Sequence, residues 1–148
     1  MRKHLLCAIL VLLAALSLTC AAGEQAIQGG EAAMRLSIDG REVPVQWEEN
    51  ESVAALRALA AEAPVTVEMS MYGGFEQVGP LGTSLPRNDV QTTTRAGDIV
   101  LYSGDQVVVF YGSNAWAYTR LGRIEGMDAE ALTDLLGRAS VTLTFTVG

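Results

Sequence analysis

Gly97-Asp98-Ile99-Val100-Leu101-Tyr102 and Val107-Val108-Val109-Phe110-Tyr111, joined by Ser103-Gly104-Asp105-Gln106, decide how the chain is read. The two runs are short and rich in β-branched and aromatic residues, and the four residues between them are turn formers, which together spell an antiparallel hairpin. Val107 to Tyr111 is apolar at every position, so the usual alternation is missing and both faces of that strand need cover. It is expected at the centre of a sheet, with the core on one side and a helix outside.

The flanking segments extend the same pattern. Met34-Arg35-Leu36-Ser37-Ile38-Asp39 alternates strictly, and Asp39-Gly40 supplies the left-handed residues of a tight hairpin. Val43, Val45 and Trp47 resume the apolar face, with Glu42, Gln46 and Glu48 outward and Pro44 marking an edge or a bulge. Asn50 caps a helix from Glu51 to about Ala63, with an apolar stripe of Val53, Leu56, Leu59 and Ala63 and a stop at Pro64. Val65, Val67, Met69 and Met71 alternate with Thr66, Glu68, Ser70 and Tyr72 in a third strand. Gly73 to Gly97 is expected to be largely loop because of its Gly-Gly, Gly-Pro and Leu-Pro punctuation, and long loops on small scaffolds are where binding surfaces gather. Ala117 to Ile124 is a further strand. Asp128 caps a second helix through Arg138, with Met127 and Leu132 as its staple and Leu132, Leu135 and Leu136 inward. Val141, Leu143, Phe145 and Val147 face one way in the closing strand. Strands joined by tight turns, with two helices among them, predict a mainly β domain that closes into a barrel.

The N-terminus reads differently. Met1-Arg2-Lys3-His4 is a positive start, Leu5 to Leu18 carries no charge, and Thr19-Cys20-Ala21-Ala22-Gly23 is small. That is the pattern of a cleavable signal peptide, and the apolar run is short of the about 20 residues a spanning helix needs. Two processing routes fit: ordinary cleavage at small residues, or lipidation of Cys20, whose surroundings match a lipobox only in part because Ser17 and Thr19 stand where Leu and a smaller residue are usual. The organisation expected is therefore residues 1–22 as signal peptide, of ordinary or lipoprotein type, 23–33 as flexible tether and 34–148 as one domain. The protein is expected to be exported to the cell envelope or beyond, touching a membrane only through a lipid on Cys20.

Removing the signal also removes chemistry. The only histidine (His4), the only lysine (Lys3) and Cys7 lie within it, which leaves all 17 Asp and Glu against eight Arg, a net charge near −9. No disulfide can then form within the domain. A Ser-His-Asp or Cys-His nucleophile lacks its base, a Schiff-base lysine is missing, and a His or Cys zinc site is excluded. Nucleic acid is excluded as a partner by the acidic charge. No cofactor and no metal are expected, and the domain is expected to act as a monomer.

At Gly97-Asp98-Ile99-Val100-Leu101-Tyr102, Val107-Val108-Val109-Phe110-Tyr111 and Leu121-Gly122-Arg123-Ile124-Glu125-Gly126-Met127-Asp128 the sequence resembles the cyclophilin-like domain, closest to small bacterial cyclophilin-like proteins of unassigned function. The last of these runs is similar to the Phe-Gly-x-Val…Gly-Met-Asp run of true cyclophilins. Leu85-Pro86 and Tyr118-Thr119-Arg120-Leu121-Gly122-Arg123-Ile124 also look like the smaller family. The resemblance covers Met34 to Gly148 and implies a closed β-barrel of about eight strands with two capping α-helices. It carries departures. The Phe-x-Arg…Phe-Met-x-Gln-Gly-Gly-Asp segment that gives prolyl isomerases their catalytic Arg has no counterpart; the nearest stretch, Met69 to Glu76, has no Arg. Tyr118 stands where the family has a cleft His, and counting to the family's cleft Trp lands on Ser113, near Trp116.

Two functions from different classes follow: a binding domain for a small molecule or peptide that performs no covalent catalysis, and a prolyl isomerase using a non-standard Arg. A third is a membrane-tethered interaction domain. The ligand-binding candidates are Tyr72, Phe75, Trp116, Tyr118 and Arg120. No residue is assigned as catalytic, Arg120 being the weak candidate beside Tyr118 and Trp116. Alternation from Leu121 sends Arg120 away from the core, and for Arg120 and Arg123 alike pairing with carboxylates is the plainer role. Glu48, Glu49 and Glu51 favour a helix dipole, and Asn50-Glu51-Ser52 matches a glycosylation sequon by chance. N-terminal sequencing and intact mass of the exported protein are expected to place cleavage between Thr19 and Gly23, a product starting at Met1 refuting it; Cys20→Ser releases the protein from membranes if Cys20 is the anchor and changes nothing otherwise.

Overall fold

The computed structural model describes residues 32–148. The signal peptide, Cys20 and all but the end of the tether lie outside the described residues. In chain order the elements are β1 (Met34–Ile38), β2 (Arg41–Val43), β3 (Val45–Trp47), α1 (Glu51–Glu62), β4 (Val65–Tyr72), β5 (Glu76–Pro80), β6 (Val90–Thr93), β7 (Asp98–Tyr102), β8 (Gln106–Phe110), β9 (Ala115–Ile124), α2 (Ala129–Leu136) and β10 (Ser140–Val147). Asp39 and Gly40 both have positive φ, as the turn between β1 and β2 requires. The Asn50 side chain accepts from the Val53 amide and Asp128 from the Ala131 amide, so both helices begin where their caps are.

The strands pair in the order β2-β1-β10-β4-β5-β8-β7-β9-β3, with β6 on β9 off that path, and each pair is antiparallel. The two ends of this order are one stretch of chain. At Pro44, which has no N–H to give a ladder, the strand stops pairing with β1 and begins pairing with β9: Leu36 faces Val43 on one side of the proline, and Val45 faces Ile124 on the other. Counting β2 and β3 as halves of one strand, the path is a nearly closed barrel of eight strands, and the expected fold class is found. The closing seam is tight. A Cβ at Gly122 would sit 2.6 Å from the Gln46 carbonyl oxygen, so only glycine lets β3 and β9 approach this closely.

The inward apolar residues of the barrel strands other than β5, together with Val53, Leu56 and Ala60 of α1 and Leu132, Leu135 and Leu136 of α2, form the main core. Ala60 takes the place expected for Ala63, which is exposed at the C-cap, and Met71 lies exposed beyond the buried part of β4.

One expectation is filled in and one is corrected here. Gly73 to Gly97 is largely loop, and two short strands interrupt it: β5 is a barrel strand between β4 and β8, and β6 pairs with the N-terminal half of β9. β5 escapes notice because it is polar on both faces. Gln77, fully buried on the inner side, donates from Nε2 to the carbonyls of Leu136 (2.8 Å) and Arg138 (2.7 Å), satisfying carbonyls left over at the end of α2. The correction concerns β8. Its inner residues Val107 and Val109 lie in the main core, but its outer residues Val108 and Phe110 meet Val100, Tyr118, Phe75 and Val78. Both helices spend their apolar faces on the main core, and aromatic side chains from β9 and the β4–β5 turn cover β8 outside.

Val109→Asp is expected to unfold the domain, since an unpaired carboxylate at this fully buried position costs about 3–5 kcal/mol or more; Thr144→Asp, on the outer face of β10, is expected to leave a cooperative thermal transition. Equal loss in the two variants would refute the facing assigned to both strands.

Candidate functional site

The outer face of β5, β8 and β7 carries a second, smaller apolar layer, and this layer is incomplete. Val100, Val108, Phe110 and Tyr118 are buried in it, with the Tyr118 ring edge-on to Phe110 at 5.7 Å and to Tyr102 at 6.2 Å. Beside them opens a cavity of about 410 Å³. Its floor is Val78, Val108 and Tyr118; its walls are Tyr72, Tyr102 and Trp116; Asn114 and Glu76 supply the polar groups. Tyr72 and Trp116 are 61% and 57% exposed, so two large aromatic side chains stand at the mouth. This size and lining, apolar with few polar groups, is that of a small-molecule site.

Glu76 is the chemical centre of the cavity. It begins β5, opposite Phe110 on one side and Tyr72 on the other, and alternation turns it outward with Val78. Its side chain is 7% exposed, and Oε2 is buried without a hydrogen-bond partner. Removal from water with no compensating donor disfavours the carboxylate, and burial raises the pKa from 4.5 to about 7. Burial, and next the Glu76 charge, push the Tyr118 hydroxyl above its ordinary value of 10.0, against the hydrogen bond it accepts from Asn114 Nδ2 at 3.1 Å.

The loop that brings Asn114 and Trp116 here is fixed by Thr94, a buried residue at the end of β6. Thr94 exchanges bonds with the Asn114 backbone and accepts one from Ser113 Oγ through its carbonyl. On the other side the Phe75 carbonyl accepts from the amides of Tyr111 (3.0 Å) and Gly112 (2.9 Å). Gly112 is obligatory, because a Cβ there would meet the Phe75 Cβ at 2.7 Å. The cavity walls are thus tied to the sheet through backbone bonds.

Of the sequence candidates, Tyr72, Trp116 and Tyr118 line this one cavity. Phe75 packs beside it, edge-on to Tyr72 at 6.1 Å. Arg120 is elsewhere. Asp98, buried at the start of β7, accepts from Arg120 (3.0 Å), from Arg123 and, through Oδ2, from the Arg95 amide; Arg120 Nε also lies 3.6 Å from Glu48. A bulge lets both arginines reach one carboxylate: Ile99 faces Gly122 and Val100 faces Arg120, so Leu121 is the extra residue and the alternation of β9 shifts there. The residues that sequence reasoning missed are Glu76, Val78, Tyr102, Val108 and Asn114. The available signal was Gly73-Gly74 following an alternating strand, a hairpin pair that makes Glu76 the first residue of a returning strand.

A second, larger groove of about 740 Å³ runs between the start of α1, residues 86–88 and β6 with β9, and Arg120 and Arg87 border it. Its polar groups are used by the fold. Ser52 Oγ donates to the Pro86 carbonyl, Asn50 Nδ2 to the Arg120 carbonyl (2.8 Å), and Thr119 Oγ1 to Asp89 (2.8 Å). Asn50 is spent on capping, which answers the sequon as well. Among the described residues no cluster of three or more His, Cys, Asp or Glu could hold a metal.

Comparison with known proteins agrees with this architecture. A family model described as the cyclophilin-like family matches residues 36–145. The solution structure of a hypothetical protein from Archaeoglobus fulgidus is similar at a TM-score of 0.51 with 18% identity, over 83% of this chain and 99% of that one, a likeness of fold. No curated protein matches the chain.

The raised Glu76 pKa makes stability fall with pH. The folded state keeps the Glu76 proton up to about 7, whereas an unperturbed carboxyl loses it near 4.5, so this group's contribution is full below that window and is lost across it, by at most ~3 kcal/mol. Thermal midpoints measured from about pH 4 to pH 8 are expected to fall less in Glu76→Gln than in the wild type, with the variant the more stable at the upper end. Parallel profiles would refute the burial of an unpartnered carboxyl.

Proposed function

Since the chain belongs to the cyclophilin-like family, we propose that it is an exported domain of that family which binds a small molecule or a peptide segment in the cleft between Tyr72 and Trp116, without covalent catalysis. The observation that carries this reading is the cavity itself: two exposed aromatic side chains over an apolar floor, with one buried polar group unpartnered. Buried polar atoms in folded proteins are almost always satisfied, and an unsatisfied one at the bottom of an open cleft is accounted for by a ligand that supplies the partner. Export rests on the N-terminal sequence pattern.

Prolyl isomerisation, the alternative, asks for a guanidinium free to follow the proline nitrogen as the amide twists and loses conjugation. Arg120 is held by Asp98 and Glu48 and borders the other groove, and among the described residues no Arg lines the cavity with Tyr118 and Trp116. The geometry favours binding.

The test is an amide-resolved NMR titration of the mature chain with a panel of small apolar and amphipathic compounds and an Ala-Pro tetrapeptide. Binding compounds are expected to move Tyr102, Asn114 and Trp116 together, and Trp116→Ala is expected to weaken them at least fivefold. The peptide is expected to show no enzyme-dependent cis–trans exchange. Compounds that gather at Ser52, Pro86 and Arg120 would overturn the choice of cleft; fast exchange lost in Arg120→Ala with folding intact would establish the isomerase.

A further inference from the structure

We infer that the cleft selects a small ligand bearing an ammonium group on an apolar stem, with Glu76 as its counter-ion and the aromatic walls around the cation. This deepens the proposed binding function and rests on it.

The first ground is composition of the site. Among the described residues Glu76 is the one charged residue lining the cavity, and that lining includes no Arg that could pair with it. Tyr72, Tyr102, Trp116 and Tyr118 come from three different strands and the residues beside them, and aromatic faces are the uncharged surfaces that attract a cation most strongly. A carboxylate at the bottom of an aromatic box is matched by one positive group, not by an anion or a plain hydrocarbon.

The second ground is a buried acceptor without a donor, which such a ligand would supply. The Glu76 side chain is more than nine-tenths buried, and its Oε2 has no donor. Asn114, the amide in the same lining, donates from Nδ2 to the Tyr118 hydroxyl and accepts through Oδ1 from the Ala115 amide. An ammonium would bring the missing donors and the opposite charge together. The apolar floor of Val78 and Val108 takes the stem. At about 410 Å³ the cavity holds a low-molecular-weight amine. The excess of Asp and Glu over Lys and Arg, a formal net charge of −7, favours the approach of cations and disfavours anions.

The third ground is a built-in pH response. Burial raises the Glu76 pKa to about 7, so its charge changes near neutral pH, and only its ionised form pairs with the cation. The titratable groups facing it are Tyr118 from β9, Tyr102 from β7 and Tyr72 from β4. Tyr118 is shifted upward and stays neutral in this range, so the response belongs to Glu76. Binding releases a proton, and affinity rises with pH.

The experiment uses 2-phenylethylammonium and its neutral counterpart 2-phenylethanol, titrated calorimetrically into the mature chain at about pH 6 and about pH 8, where this ammonium stays protonated. The ammonium is expected to bind about tenfold tighter at the higher pH, following the ionised fraction of a group with pKa about 7, and to bind tighter than the alcohol there. Glu76→Gln is expected to abolish the pH ratio and to lower ammonium affinity at least about tenfold while keeping the alcohol. Trp116→Ala is expected to weaken the ammonium with the pH ratio intact. Equal affinity for the two probes, an unchanged ratio in Glu76→Gln, or no ammonium binding at either pH overturns the inference. Alcohol binding that moves Tyr102 and Asn114 while the ammonium fails would leave the cleft as a binding site and remove only its choice of cation. Tighter binding of Nα-acetyl-lysinamide than of 2-phenylethylammonium would give the site to a peptide side chain and overturn the small-molecule assignment.

Discussion

A ring of strands closes only if some stretch of chain serves two edges at once, and here that stretch is Arg41 to Trp47. Pro44 divides it. Without an amide hydrogen the proline cannot belong to a continuous ladder, so β2 gives its bonds to β1 and β3 gives its own to β9. Everything else follows from that closure. The two ends of the sheet fall on one short stretch of chain, so little open edge is left for pairing with another chain. The inner faces converge on one core, and the outer face of β5, β8 and β7 is left to find its own cover.

That outer face is where structure and function diverge. Had α1 or α2 lain over β8, Val108 and Phe110 would be part of a sealed core. Instead the cover is a handful of aromatic side chains brought in by β9 and the β4–β5 turn, and aromatic rings tile a flat surface imperfectly. The gap they leave is the cavity. The ion cluster on Asp98 works at the next position along the same two strands: it fixes the bulge at Leu121 and so sets where β9 turns from inner to outer facing. The arginines are structural cement for the site's frame, and the cavity around Glu76 is built without them.

Much of the fold was legible because its elements announce themselves by period and punctuation. Asp39-Gly40, the caps Asn50 and Asp128, the doubly apolar Val107 to Tyr111 and the alternation of Val141 to Val147 each map onto an observed element. β5 was not legible: Glu76 and Gln77 put a polar side chain on each face, so no apolar period marks the strand, and its burial is decided by neighbours distant in sequence. β6 pairs only with β9 and is largely exposed, which leaves little hydrophobic signal. In the site, Tyr72, Trp116 and Tyr118 could be picked out as aromatics beside glycine-rich turns. Glu76 could not, because a carboxylate in a loop is ordinary and becomes unusual only once the loop proves to be a buried strand. Arg120 attracted attention by its neighbours in sequence, and the bulge assigned it to a different neighbourhood in space.

The antiparallel pairing of β1 with β10, Met34 against Val147 through Ile38 against Leu143, bears on how the chain acquires its fold in time. The first strand of the barrel has one partner, β2, beside it in sequence and the other, β10, at the far end of the domain, so the pairing that completes it spans nearly the whole domain. Topologies of this kind fold slowly, because the loop entropy of joining distant segments must be met before their contacts form. A chain made N-terminus first can form the β1–β2 hairpin early, but the other edge of β1 stays unpaired, and the barrel open, until the last eight-residue strand, β10, has been released.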